Sequence, residues 1–91
     1  MIDEIKAGQA RDRGLRAEEL LNSDALKECF DYLGAEYMAA WRATRGADTQ
    51  ARERLFQAIN ILDVVRSHLK TVAANGKIAT KDLAAIKYPK R

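Results

Sequence analysis

The stretch Thr44-Arg45-Gly46-Ala47-Asp48 decides the fold, because it separates two long series of apolar residues that recur at helical spacing. Before it stand Leu26, Cys29, Phe30, Leu33, Tyr37, Ala40 and Trp41; after it stand Leu55, Ala58, Ile59, Leu62, Val65, Leu69 and Val72. Steps of three and four residues gather side chains on one face of an α-helix. A short polar connection between two such helices makes them antiparallel neighbours. The expected fold is all-α: an antiparallel hairpin of two long helices, with short flanking helices on its N- and C-terminal sides.

Working outward, the arm before the break predicts a helix over residues 24–44. Asn22, Ser23 and Asp24 precede it, all residue types whose side-chain oxygens can accept from the free N–H groups of a new helix. A break is expected there, with a short first helix over residues 11–21 anchored by Leu15, Leu20 and Leu21 and weakened by Gly14. Residues 1–9, which include Gly8, read as loosely ordered. On the second helix, Ala35, Ala39 and Ala43 with Tyr32 form a separate stripe of mostly small residues. Gly46 suits a left-handed position just after the helix end. Asp48, or else Thr49, would cap the next helix.

The arm after the break predicts a helix over residues 49–74. Leu55, Ala58, Leu62, Val65, Leu69 and Val72 follow heptad spacing, with Phe56 and Ile59 widening the seam. Ile61 and Val64 lie outside that seam, with His68 beside them. One antiparallel partner cannot cover both surfaces, so the surplus apolar area must meet another segment or another subunit. Asn75-Gly76 reads as the end of this helix, with Gly76 left-handed and Ile78 packing back. Thr80 would then cap a short fourth helix over residues 81–86, and residues 87–91 form a basic tail containing the helix-stopping Pro89.

Ninety-one residues predict a single helical domain over 1–91. The composition is rich in strong helix formers and contains one proline. The single cysteine excludes an intrachain disulfide. Cys29 falls on the apolar stripe, where a thiol behaves as a small buried hydrophobe. There is no apolar run of transmembrane length, and the first residues lack the basic start and apolar core of a secretory signal. A cytoplasmic protein is expected, or one assembled there. The net charge of +3 conceals a polarity. Residues 18–36 carry six acids against Lys27, net −5, and residues 66–91 carry seven bases against Asp82, net +6. This asymmetry suits a basic partner site near the C-terminus, pairing between the two ends, or simply two solvated faces.

No catalytic, cofactor or metal residue is assigned. His68 lacks convergent ligands for a metal, and Ser23, Ser67 and Cys29 lack the neighbouring base that nucleophilic catalysis needs. Gly76-Lys77-Ile78-Ala79-Thr80 resembles the end of a phosphate-binding loop but lacks the upstream glycine and the preceding strand. Lys77, Lys81, Lys87, Lys90 and Arg91 are the candidate nucleic-acid contacts, of a kind that neutralises phosphates without reading bases. Tyr37 and Trp41, with Phe56 opposite, either close the hairpin end or form a binding hot spot beside Arg42, Arg45, Arg52 and Arg54. The candidate partner interface comprises Tyr37, Trp41, Arg45, Ile61, Val64 and His68.

Three runs carry a resemblance: Arg16-Ala17-Glu18-Glu19-Leu20-Leu21-Asn22-Ser23, Glu36-Tyr37-Met38-Ala39-Ala40-Trp41-Arg42, and Asp48-Thr49-Gln50-Ala51-Arg52-Glu53-Arg54-Leu55. Across about residues 14 to 80 the chain resembles small helical accessory proteins encoded by tailed phages and prophages. The resemblance implies a product of packaging or virion-assembly genes, made in the host cytoplasm and in some cases carried in the virion. The functional expectation is a non-enzymatic assembly or adaptor protein, acting as a homodimer or higher oligomer or bound to a larger phage protein. No membrane or small-molecule substrate is expected. The alternatives are a small DNA-binding packaging accessory or regulator, and a small inhibitor of a host or phage enzyme.

Overall fold

The computed structural model of the chain describes residues 3–87. They form three helices, α1 (Glu4–Leu21), α2 (Asp24–Ala43) and α3 (Thr49–Lys87), and no strand occurs among them. No helix of the described residues is long and apolar enough to cross a membrane. The chain divides into two compact units. In one, α1 packs on the part of α3 from His68 onward; in the other, α2 packs on the part of α3 up to Ser67.

Each helix starts at a side chain that can satisfy its free N–H groups. The Asp3 carboxylate accepts from the backbone N–H of Ile5 at 2.9 Å and of Lys6 at 3.3 Å. Ser23 Oγ accepts from Leu26 N–H at 3.3 Å, so the break before α2 falls where the cap residues stand. Asp48 Oδ1 accepts from Ala51 N–H at 3.4 Å and opens α3. The position of the connection and the caps at Ser23 and Asp48 follow the sequence reading.

The flanking elements do not. Helix α1 has 18 residues and takes in positions 4–10, because Asp3 caps it and Ala7 gives its first turns a buried anchor. Helix α3 has 39 residues and continues through Asn75-Gly76, so there is no separate fourth helix. Gly76 has no left-handed backbone, and neither has Gly46. Thr80 caps nothing; its hydroxyl donates back to the Gly76 carbonyl at 2.9 Å, one turn earlier in the same helix. Helix α2 is closed instead by Thr44, whose N–H and hydroxyl both donate to the Trp41 carbonyl, at 3.2 and 2.6 Å. The fold is thus three long helices rather than a two-helix hairpin with short flanks. Lys87 is the last residue of α3, and the predicted tail residues Tyr88 to Arg91 lie outside the described residues.

Gly76 continues the helix because it is a contact surface rather than a terminus. Buried Gly14 of α1 and buried Gly76 of α3 face each other so closely that a methyl group on either would lie 2.6 Å from the other's Cα. Such a group on Gly14 would also meet the Val72 carbonyl at 3.1 Å, and one on Gly76 the Ala10 carbonyl at 3.2 Å. Residue 10 thus lies level with 76, and 14 with 72, the order of an antiparallel crossing. Around it Ala7, Ala17, Ala73 and Ala79 are the buried apolar residues of the chain's described part. Glycine in a helix interior costs about 1 kcal/mol relative to alanine. Close approach of the two backbones, and the alanine burial it permits, offsets that cost.

In the second unit no residue of α2 is fully buried. Leu26, Phe30, Leu33, Tyr37 and Trp41 are half-buried against Leu55, Ala58, Ile59, Leu62 and Arg66 of α3. One helix facing one other helix hides only a narrow stripe of each. Cys29 falls beside that stripe and is exposed rather than buried. Val65, placed in the seam by its heptad position, is 44% exposed for the same reason.

Candidate interaction surface

Four contacts set the register of α2 against α3. The Arg66 guanidinium lies 5.0 Å from the Phe30 ring centre, and its Nη2 is 3.9 Å from Asp31 Oδ1. The Arg52 guanidinium lies 4.2 Å from the Trp41 ring centre, and its Nη1 donates to Thr44 Oγ1 at 2.8 Å. Low residue numbers on α2 meet high ones on α3, so the pair is antiparallel. In that register Cys29, Tyr32 and Leu33 lie level with Val65, Val64 and Ile61.

Side chains advance by about 100° per residue around a helix. Asp31 and Arg66, and with them Trp41 and Arg52, therefore mark one flank of the α2–α3 pair. Cys29 and Leu33 on α2, and Ile61 and Val65 on α3, turn to the opposite flank, with Tyr32 at its outer edge, while Val64 falls on the side of α3 turned away from α2. Tyr32, Ile61 and Val64 are 61–65% exposed, and Leu33 is half-buried. None of the six is charged. Exposed apolar side chains grouped on one flank are informative where a scattered exposed leucine is not.

Of the six residues assigned to an interface from sequence, Ile61 belongs to this flank and Val64 is exposed on the outer side of α3. His68 follows one turn later on α3 and is exposed. Tyr37 and Trp41 turn inward and are half-buried between the helices, and Arg45 is exposed in the connection. Trp41 is engaged within the chain: Arg52 stacks on it and also tethers the end of α2 through Thr44. The shallow depression beside it, bounded by Gly46, Thr49, Arg52, Glu53 and Phe56, is open. Sequence reading missed Cys29, Tyr32 and Val65. Their signal was present in the spacing, since a seam of one helix width leaves its outer members uncovered.

Lys77 and Lys81 are exposed one turn apart on α3, while Lys90 and Arg91 lie outside the described residues. Lys87 contributes the last helical backbone position of α3. Among the described residues no three His, Cys, Asp or Glu side chains form a group that could hold a metal. The opposed charges of the two sequence ends meet in the described residues at Arg66 and Asp31, a pair with Asp31 81% exposed and so of small energetic weight. No family model matches the chain, and no curated protein or solved structure matches it.

Proposed function

We propose that this chain is a non-enzymatic helical assembly or adaptor protein that works through protein–protein contacts, as a homo-oligomer or bound to a larger protein. The observation that carries this reading is the imbalance between what the fold buries and what it leaves open. Its buried apolar residues, among those described, are four alanines, while Ile5, Leu15, Leu20, Tyr32, Met38, Phe56, Ile61, Val64, Val65 and Ile78 stay exposed. A subunit whose stability is completed by association has this character. The resemblance to phage accessory proteins supports a place among packaging or virion-assembly components.

The test is thermal unfolding across a dilution series, with an apolar dye as a second readout. Self-assembly makes the midpoint rise with concentration, by mass action. A chain that instead needs another protein unfolds at one midpoint throughout and binds the dye. A concentration-independent, cooperative transition without dye binding opposes the proposed function.

A further inference from the structure

We propose that α3 docks duplex nucleic acid along its outer face, with Lys70, Lys77 and Lys81 on the phosphates and Arg11 of α1 joining them beside the helix crossing. This is a further activity, independent of the assembly reading above. The three lysines fall within an arc of about 40° and a rise of about 17 Å on one continuous helix. All three are exposed, and among the described residues no ion pair neutralises any of them. From residue 64 to residue 81 α3 carries no acid. Asp82 stands about 100° around the helix from Lys81, and Asp63 lies about two turns before Lys70.

The Gly14–Gly76 crossing adds the fourth cation. Because the two backbones touch there, Arg11 and Lys77 come from separate helices to line one small niche with Leu15 and Thr80. Glu18 also lines it, about two turns along α1 from Arg11, and Asp12 is already paired with Arg11 at 3.2 Å. The kind of partner follows from what the lysine face lacks. Ala74 and Ala85 border the row and are exposed, so the side of the helix is low and a straight rod can lie along it. Ile78 is its one exposed large apolar neighbour, too little to anchor a protein or a membrane surface. Residues 67–87 include no Phe, Tyr or Trp, so single-stranded bases have no ring to stack on. What remains is charge: lysine, a point cation on a flexible stem, neutralises phosphates without reading bases.

The experiment measures the fluorescence anisotropy of a labelled DNA duplex of mixed sequence, titrated with the full chain across a salt series. Four phosphate contacts make affinity fall at least about 100-fold between roughly 50 and 200 mM salt. Lys70→Gln, Lys77→Gln and Lys81→Gln combined should keep the helical circular dichroism, since glutamine is a good helix former. That variant should bind more weakly and flatten the log–log salt slope by about three, and Arg11→Gln alone should flatten it by about one. A control combining Lys27→Gln, Arg45→Gln and Arg54→Gln lowers the net charge equally and should bind as wild type does. Absence of binding at the lowest salt overturns the proposal. So does a lysine variant that binds like wild type, or a control that loses as much as the lysine variant. Competition by polyglutamate as strong as by unlabelled duplex of equal charge overturns nucleic acid as the partner.

Discussion

Gly14 and Gly76 stand back to back where α1 crosses α3, with no room for a methyl group on either residue. The contact is between backbones, which cannot rotate aside as a long side chain can. Gly14→Ala or Gly76→Ala should therefore lower stability by about 1–3 kcal/mol through overpacking. That loss is expected despite the roughly 1 kcal/mol that alanine adds in helix propensity. Urea unfolding followed by far-UV circular dichroism checks it, and a midpoint at or above wild type for both variants would refute the crossing.

Gly34 supplies the opposite case. A methyl group there meets nothing within 4 Å, and the residue lies inside α2. Gly34→Ala should stabilise the protein by roughly 0.5–1 kcal/mol. For a domain of this size each 1 kcal/mol raises the melting temperature by about 4–8 °C. Calorimetry of the two alanine series together separates close approach from general helix propensity.

Arg52 is expected to be the most consequential charged residue of the hairpin end. It stacks on Trp41 and donates to both the hydroxyl and the carbonyl of Thr44, at 2.8 and 3.5 Å. Arg52→Ala should cost about 1–2 kcal/mol, the sum expected of one cation–π contact and one hydrogen bond. Trp41 is the single tryptophan, so its fluorescence reports the change locally. Arg52→Lys should recover only part of the loss, because an ammonium lacks the plane that stacks. Equal stability of the lysine variant and wild type would count against the stacking role.

Ser23→Ala removes the side-chain acceptor for Leu26 N–H and should cost about 1 kcal/mol. The effect should appear as earlier hydrogen exchange in the first turn of α2, with α3 amides little changed. Unaltered exchange at residues 25–27 would show that the cap contributes nothing.

The positions of the connection and of the caps at Ser23 and Asp48 were legible because they depend on neighbouring residues. So was the main face of α2, from Leu26 through Phe30, Leu33 and Tyr37 to Trp41. The run through residues 75–80 was misread for a related reason. Asn75 and Gly76 are common helix terminators, and Thr80 a common cap, when only local chemistry is weighed. A counter-signal was present: Leu69, Ala73, Gly76, Thr80 and Leu83 keep steps of three and four straight through the supposed break. The exposed flank was half legible. Ile61 and Val64 stood outside the seam by spacing alone, but Cys29, Tyr32 and Val65 needed the register of α2 against α3.

By itself, the sequence determined where α2 and α3 start, that the described residues are all-helical, and that the chain carries more apolar surface than one antiparallel partner covers. These follow from side-chain periodicity and from hydrogen bonds within three or four residues. Only the tertiary structure decided that Gly14 and Gly76 form a crossing and not a weak spot and a terminus. A glycine's role depends on what lies beside it in space: facing solvent it is a helix breaker, and facing another glycine it lets two backbones touch. The same holds for Cys29, whose burial or exposure is set by the width of the neighbouring helix rather than by its own place in the heptad.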